Sequence, residues 1–305
     1  GALVIGVPVS TVAGIGNGAK NGIMFKGSQV IDQARKIDEV AFDKTGTLTV
    51  GHPEVSVIEI LNGRRNEIIK LAAQIEGQSN HPLAQAIAKL AEQKPVSTKL
   101  ETVKGKGVVA TINDEKYYLG NQNLIVDNTG SNGKLVKTIN HLSQSDNSIV
   151  VFANSDQSQL AVFGIKDQLR PEAKEALTNL KKLGVKKLVM LSGDNQETAE
   201  QIAAELPIDE VRGQMLPENK AAFIKQEKMN GHHVAFIGDG INDSPALANA
   251  NVAIAIGSGT DVAIDVSDIV LVKNDLRKID YALGLSKKIV LNMNENIVLA
   301  LLTVL

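Results

Sequence analysis

The chain has 305 residues, of which 43% are hydrophobic and 22% are charged, a composition typical of a folded globular protein. Lysine and arginine together number 32 and aspartate and glutamate 34, which excludes a protein that binds nucleic acid through an excess of positive charge. Cysteine is absent, which excludes disulfide bonds and thiolate metal sites within these residues.

Both ends of the chain are apolar. Residues 1–19 contain no charged side chain, and residues 296–305 read NIVLALLTVL. A complete membrane span needs about 20 apolar residues. We therefore expect residues 1–19 to be the end of one transmembrane helix and residues 289–305 to be the start of another. The alternative is two buried helices of a soluble protein; a signal peptide is disfavoured because no basic segment precedes the first apolar run.

A short strand precedes the first candidate functional residue. The run Glu39–Phe42 predicts a β-strand that places Asp43 at its carboxyl end. We assign residues 20–53 to the first part of a sheet domain.

Residues 54–162 predict an inserted α+β domain, because helical patterns and strand-like runs follow one another without regular alternation. The predicted helices are Asn66–Ile75, Pro82–Gln93 and Lys134–Leu142, and the predicted strands are Gly107–Ile112, Lys116–Leu119, Ser148–Ala153 and Gln159–Phe163.

Residues 163–288 alternate between strands and helices and form the second part of the sheet domain. Short apolar runs of this kind suit strands that are buried on both faces of a parallel sheet. The predicted strands are Lys187–Leu191, His233–Ile237, Val252–Ile256 and Ile269–Val272. The predicted fold class is therefore α/β, a parallel-sheet domain interrupted by the inserted domain.

Three predicted strands lead directly to aspartates, namely Asp43, Asp194 and Asp239. Ligands of an open parallel sheet bind beyond the carboxyl ends of its strands. We expect one crevice to collect all three carboxylates. Their separation along the chain follows if the domain of residues 54–162 is inserted into a loop of the sheet domain.

The run DKTGTLT occupies residues 43–49. A carboxylate exposed after a strand can attack a phosphorus atom, while loop amides and hydroxyls hold the phosphate oxygens. We assign the attack to Asp43 and the surrounding loop to Lys44, Thr45 and Thr47.

A second run, GDGIND, occupies residues 238–243 and also follows an apolar strand. Attack of a carboxylate on a phosphate brings two anions together, so a divalent cation is needed between them. Asp239 with Asp43 offers hard oxygen ligands suited to Mg²⁺. Asn242 and Asp243 position or support that site. The alternative, a calcium-binding turn, lacks the later ligands of such a loop.

A third group consists of Ser192, Gly193 and Asp194, at the end of another strand, and of Lys220, which follows Pro217 near the start of a helix. A hydroxyl, a loop amide and an ammonium group can neutralise the oxygens of a phosphoryl group during its transfer. Taken alone, Lys220 is more simply interpreted as an exposed surface lysine.

In order and spacing, these motifs resemble those of the P-type ATPases, which share the haloacid dehalogenase-like fold. DKTGTLT corresponds to the family's phosphorylation motif and GDGIND to its hinge motif. Ser192 stands where the family usually has threonine, and it keeps the hydroxyl. The resemblance covers essentially the whole chain. It implies ATP and Mg²⁺ as cofactors, an aspartyl-phosphate at Asp43, and a cation held by Asp43, Asp239 and the Thr45 carbonyl.

Residues 79–83, SNHPL, resemble the nucleotide-site motif of the heavy-metal-transporting branch of this family. The positions that match the branch's ATP site are Glu76, His81, Pro82, Gly105 and Gly107. An imidazole can contact adenine, and glycines permit close approach of the backbone. Taken singly, His81 is a helix-start residue and the glycine pair is a weak signal.

The residues near the ends match neither standard ion specificity of that branch. Gly1–Ile5 resembles the stretch that completes a Cys-Pro metal motif, but Gly1 occupies a position where Cys, His or Ser is commoner. Thr303 and Val304 stand where copper-transporting relatives usually have Tyr-Asn, and Val304 also differs from the lysine of typical zinc and cadmium relatives. The identity of the ion is therefore left open.

The resemblance implies ATP-driven transport of a heavy-metal cation by a multi-pass protein of the cell membrane, with its catalytic domains in the cytoplasm. The implied partners are ATP, a transported cation bound outside this chain, the membrane through the terminal helices, and an actuator domain and further membrane helices of the same polypeptide. Nucleic acid is not among them.

Three alternatives remain. A soluble phosphatase of the same fold usually carries a second aspartate two residues after the nucleophile as a general acid and base, whereas this chain has Thr45 there. A P-type ATPase for a cation other than a heavy metal is the second alternative. A non-catalytic nucleotide-binding module is the third, and it leaves the clustered carboxylates unexplained.

Overall fold

The computed structural model describes residues 13–92, 96–240, 242–257 and 261–304. The chain divides into two compact units. Within the described residues, unit 1 consists of residues 13–50, 169–193 and 203–304, and unit 2 consists of residues 51–168 and 194–202.

The strands, in chain order, are β1 Ile23–Phe25, β2 Glu39–Asp43, β3 Glu54–Asn62, β4 Lys99–Val103, β5 Gly107–Ile112, β6 Glu115–Gly120, β7 Ser148–Asn154, β8 Leu160–Lys166, β9 Lys187–Leu191, β10 Glu210–Arg212, β11 Val234–Gly238, β12 Val252–Ile256 and β13 Ile269–Leu271. The helices are α1 over residues 13–20, α2 Ser28–Ala34, α3 Arg65–Glu76, α4 Pro82–Ala88, α5 Gln122–Thr129, α6 Gly133–Ser143, α7 Ala173–Lys182, α8 Gln196–Ala203, α9 Pro217–Met229, α10 Ser244–Asn249, α11 Asp261–Val266 and α12 Arg277–Val304.

Unit 1 is built on a seven-stranded sheet in the order β1-β13-β12-β11-β2-β9-β10. Every neighbouring pair in it is parallel except β1 with β13. Every residue of β2, β11 and β12 is buried, because central strands of a parallel sheet are covered on both faces. The predicted parallel-sheet α/β fold is confirmed.

Unit 2 contains a six-stranded antiparallel sheet in the order β3-β8-β7-β6-β5-β4. Alternate residues of β7 and β8 belong to two different cores. Phe152 and Phe163 pack in the core that includes α3 and α4, whereas Val151 and Val162 pack in the core that includes α5 and α6. The period-2 alternation of a strand thus places one helix pair on each face of the sheet.

The structure differs from the predicted elements at several points. Four strands were missed, namely β1, β3, β4 and β10. Helix α4 ends at Ala88, whereas the predicted helix ended at Gln93. Gln93 itself lies outside the described part of the chain. Unit 2 extends beyond the predicted limits of 54–162 because β8 continues to Lys166, where it pairs with Glu54 at the start of β3.

The predicted membrane segments fall on the two ends. In the described part of the chain, no helix is both long and apolar enough to cross a membrane. Residues 289–304 continue α12, whose exposed large hydrophobic side chains are Leu291, Val298, Leu299, Leu301 and Leu302. The stretch Gly1–Ile5, the side chain of Val304 and residue 305 lie outside the described residues.

Candidate active site

Asp43 ends β2, the strand that lies between β11 and β9 in the sheet of unit 1. Both pairings are parallel, and Asp43 is in register with Leu191 at the end of β9. The carboxyl ends of the three strands therefore meet at one edge, which brings Asp43, Asp239 and Ser192 to the same side of the sheet. The sequence predicted that one crevice would collect Asp43, Asp194 and Asp239, and of these Asp43 and Asp239 lie at this edge.

A buried ion network lies at this edge. The Nζ atom of Lys220, on α9, donates hydrogen bonds to Oδ1 of Asp43 at 2.8 Å and to Oδ1 of Asp243 at 2.9 Å. The side chains are only 9%, 10% and 1% exposed, respectively. Lys220 is therefore an interior residue of the site and not a surface lysine.

Three carboxylates of the site lie close enough to share a cation. One oxygen each of Asp43, Asp239 and Asp243 lies within 4.8 Å of the others. Burial and the nearby Asp43 carboxylate raise the pKa of Asp243 to about 8, and Oδ2 of Asp243 has no hydrogen-bond partner among the described residues. Lys220 supplies one positive charge to this group, so negative charge is left over. Hard oxygen ligands with excess negative charge fit Mg²⁺.

The loop after Asp43 turns sharply over residues 44–48, with Gly46 at a φ of 75°. A Cβ atom at this position would lie 2.6 Å from Oδ2 of Asp239, so glycine satisfies both the positive φ and the close approach of the carboxylate. Thr49 closes the turn, because its Oγ1 accepts the Gly46 N–H and donates to the Lys44 carbonyl.

Two other predicted loop residues, Lys44 and Thr47, are buried, and Thr45 is half-buried. The Oγ1 atom of Thr47 has no hydrogen-bond partner in the described part of the chain, which leaves it capacity to bond a ligand oxygen. The role of the Thr45 carbonyl as a cation ligand stays a prediction.

Arg170 holds this loop, and the sequence analysis missed it. Its guanidinium donates to the carbonyls of Thr47 at 2.7 Å, Gly46 at 2.8 Å and Asn274 at 3.1 Å. Its side chain is buried. The signal available in the sequence was an arginine beside Pro171 at the return from the inserted segment, which identifies no function by itself.

For the remaining predicted residues, the structure gives the exposure of the side chains and the unit to which each belongs. Ser192 is buried, Gly193 is exposed, and Asn242 is exposed. Asp194 is grouped with unit 2, unlike its neighbours Ser192 and Gly193, which belong to unit 1. Direct contacts bring together Asp43, Asp239, Asp243 and Lys220, and the roles of Ser192, Gly193, Asp194 and Asn242 stay predictions.

The predicted nucleotide residues lie in unit 2. His81 begins α4, where its Nδ1 accepts the Leu83 N–H at 3.2 Å, and its ring is exposed. Pro82 occupies the first turn of that helix, where its lack of an N–H group costs nothing. Glu76 ends α3 and is buried. Ser79 links the two helices by hydrogen bonds to Glu76 and His81.

Gly105 and Gly107 lie where β4 turns into β5, with φ values of 71° and 139°. A Cβ atom at residue 107 would lie 2.1 Å from the Leu119 carbonyl oxygen of the neighbouring strand. Gly107 is thus required by the close approach of β5 and β6. This structural requirement accounts for its presence whether or not it also contacts a ligand.

Residues 37–251 match the family of haloacid dehalogenase-like hydrolases. A zinc-transporting ATPase of Bacillus subtilis (strain 168) is 40% identical over 98% of this chain and 47% of its own length. A probable copper-exporting P-type ATPase of Archaeoglobus fulgidus is 38% identical over 98% of this chain and 37% of its own. The chain thus spans less than half the length of these curated relatives.

One solved structure is similar over nearly its full length. It is the catalytic domain of the CPx-ATPase CopB-B, and its description concerns conformational changes of that domain upon nucleotide binding. It is 33% identical to this chain, with a TM-score of 0.69, and the match covers 88% of this chain and 96% of that one.

Arg170→Lys tests the support of the loop. Lysine keeps the charge but cannot reach the three carbonyls together. Losing two buried, charge-assisted hydrogen bonds is expected to lower the free energy of unfolding by about 3 kcal/mol, measured by urea denaturation. Arg277→Lys, at an exposed arginine, is the control and is expected to change it by less than about 0.5 kcal/mol. Equal stability of the two variants would contradict the assigned role of Arg170.

Glu76→Gln tests the buried carboxyl of unit 2. Burial raises the pKa of Glu76 from its ordinary value of 4.5 to about 7. Between these pH values the folded protein keeps a proton that the unfolded chain has lost, so its stability falls as the pH rises. The full shift corresponds to about 3 kcal/mol.

As the pH rises from 4.5 to 7, we expect the free energy of unfolding of Glu76→Gln to increase by about 3 kcal/mol relative to that of the unmodified chain. Both proteins are measured by urea denaturation at the two pH values. Glu67→Gln, at an exposed position of the same helix, is expected to show no such gain. A pH-independent difference for Glu76→Gln would show that this carboxyl is ionised throughout the range.

Proposed function

Because the chain belongs to the haloacid dehalogenase-like hydrolases, as a catalytic portion of a heavy-metal-transporting P-type ATPase, we propose that Asp43 accepts the γ-phosphoryl group of ATP. The observation that carries this proposal is the group of three carboxylates, Asp43, Asp239 and Asp243, held with Lys220 at the carboxyl edge of the sheet.

The reaction begins with attack of a carboxylate oxygen of Asp43 on the γ-phosphorus, and ADP is the leaving group. Lys220 fixes Oδ1 of Asp43 through a charge-assisted hydrogen bond, which orients the carboxylate for attack. Mg²⁺, when bound through Asp43 and Asp239, supplies positive charge between the two anions. Loop amides and the hydroxyls of Thr47 and Ser192 bond the phosphoryl oxygens.

Thr45 favours a transport ATPase over a phosphatase. A phosphatase of this fold needs a general acid and base two residues after the nucleophile, and a threonine hydroxyl cannot activate water at neutral pH. The aspartyl-phosphate therefore persists after ADP leaves. In the whole protein, its hydrolysis requires a base from another part of the polypeptide, which is the role proposed for an actuator domain.

Unit 2 is proposed to bind the nucleotide. His81 presents an exposed imidazole at the start of α4, which suits stacking on an adenine ring. Glu76 lies at the other end of the short connection from α3. Its raised pKa, which is caused by burial, keeps part of it protonated near neutral pH, so it can donate a hydrogen bond to a ring nitrogen.

The proposed role of the whole protein is ATP-driven movement of a heavy-metal cation across a membrane. Relatives named for zinc and for copper transport are 40% and 38% identical to this chain, which supports a heavy-metal cation as the cargo class. The cation is proposed to bind in membrane helices outside these residues, and the catalytic units face the cytoplasm.

Phosphorylation is tested with γ-labelled ATP and Mg²⁺. We expect label that is sensitive to hydroxylamine, as an acyl phosphate is, and that vanishes in Asp43→Asn. Asp114→Asn, at an exposed turn residue, serves as the matched control and is expected to keep the label. Label that remains in folded Asp43→Asn would refute Asp43 as the acceptor.

Nucleotide binding is tested separately by calorimetric titration with ATP. Loss of one stacking contact in His81→Ala is expected to weaken binding by about 1 kcal/mol, or roughly 5-fold. His52→Ala removes another exposed imidazole of unit 2 and is expected to leave the affinity unchanged. Equal affinities in the two variants would remove His81 from the site.

A further inference from the structure

A second group of titratable side chains lies at the amino-terminal end of the same strand that carries Asp43. Glu39 begins β2, Glu227 lies near the end of α9, and His232 follows that helix. One ligand atom each of these three residues lies within 4.8 Å of the others. Glu39 and Asp43 are four residues apart in an extended strand, a distance of about 13 Å, so the two groups cannot share one ion.

Glu39 is the unusual member of this group. It is 0% exposed, and neither of its carboxylate oxygens has a hydrogen-bond partner among the described residues. A buried carboxylate without partners is costly. Its oxygens are directed into the group, with Oε2 at 3.7 Å from Nδ1 of His232 and Oε1 at 3.9 Å from Nζ of Lys187.

The surrounding charges do not neutralise Glu39. Lys187 donates to Glu227 at 3.3 Å and lies 2.7 Å from Glu210, which also pairs with Arg212 at 2.6 Å. Nδ1 of His232 also lies 3.4 Å from Oδ2 of Asp38, whose Oδ1 accepts the backbone N–H of His233. The group thus contains four carboxylates, two permanent cations and one imidazole. They belong to Asp38, Glu39, Glu210 and Glu227, to Lys187 and Arg212, and to His232.

Glu39 and Glu227 lie next to each other within this group. Burial and the nearby Glu227 raise the pKa of Glu39 to about 8. The raised pKa agrees with the geometry, because Glu39 has no cationic partner within hydrogen-bond distance among the described residues.

We propose that Glu39, Glu227 and His232 form a binding site for a divalent transition-metal cation of the Zn²⁺ class, separate from the Mg²⁺ site at Asp43. An imidazole with two carboxylates is a ligand set for Zn²⁺. Mg²⁺ prefers oxygen ligands alone, and Cu⁺ prefers thiolates and thioethers.

The burial of the three ligands is graded, which provides an entry path. The side chain of Glu39 is 0% exposed, that of Glu227 is 10% exposed and that of His232 is 35% exposed. Solvent therefore reaches the imidazole side of the site, where a water molecule completes the coordination of the cation.

The test is a calorimetric titration of the whole chain with Zn²⁺ in the presence of excess Mg²⁺. We expect one Zn²⁺ site whose affinity falls at least about 100-fold in Glu39→Gln and in His232→Gln. His233→Gln changes the adjacent, exposed histidine, and Asp239→Asn removes a ligand of the proposed Mg²⁺ site; both are expected to keep the Zn²⁺ site.

A second measurement uses the ring resonances of the histidines in nuclear magnetic resonance spectra. Zn²⁺ is expected to shift the resonances of His232 and to leave those of His52 and His141 unchanged. Unchanged Zn²⁺ affinity in His232→Gln, an unmoved His232 signal, or loss of the site in Asp239→Asn would each overturn the proposal. These are binding measurements, so their outcome is independent of phosphorylation at Asp43.

Discussion

The hydrogen bonds from Lys220 to Asp43 and Asp243 are the interaction on which the active site depends. Two carboxylates and an ammonium group are buried together, and each would be strongly destabilising without its partners. Although burial opposes it, the charges of Asp43 and Asp243 raise the pKa of Lys220 above its ordinary value. The lysine therefore stays charged, and it holds Asp43, at the end of β2, against the segment that follows β11. Asp239 lies close enough to these two carboxylates for all three to share a cation.

Contacts within unit 1 show how the chain tolerates an insertion close to Asp43. The segment before the inserted unit and the segment after it meet at the bridge between Thr49 and Leu169. The next residue, Arg170, bonds the carbonyls of the phosphate loop. Because the two ends of the insertion are joined side by side, its length adds little strain to the loop. The conformation of the loop is set by unit 1 itself.

The sequence was sufficient for the central part of the fold. Strands β9 and β12 have their predicted limits, because apolar runs bounded by polar turns are a strong local signal. The missed strands β1 and β10 have three residues each, and so short an edge strand is determined by its neighbour and not by its own pattern. Helix α4 was predicted too long because the helical periodicity of the sequence continues past the last turn of the helix.

The side chains that the sequence did not identify are those whose role arises only from tertiary contacts. Arg170 carries no motif, and its function is visible only in the carbonyls that it bonds. Glu39, Glu227 and His232 come from β2, α9 and the loop after it, and the fold alone brings them together. The role of Asp194, which also follows a predicted strand, stays a prediction.

The most direct test of the central claim is whether Asp43 forms a cation-dependent adduct with beryllium fluoride, an analogue of the phosphoryl group on a carboxylate. Fluorine magnetic resonance of the chain with beryllium fluoride and Mg²⁺ should show bound resonances that disappear without Mg²⁺ and in Asp43→Asn or Asp239→Asn. Bound resonances that persist in folded Asp43→Asn would contradict the account, because the acceptor carboxylate would then lie elsewhere.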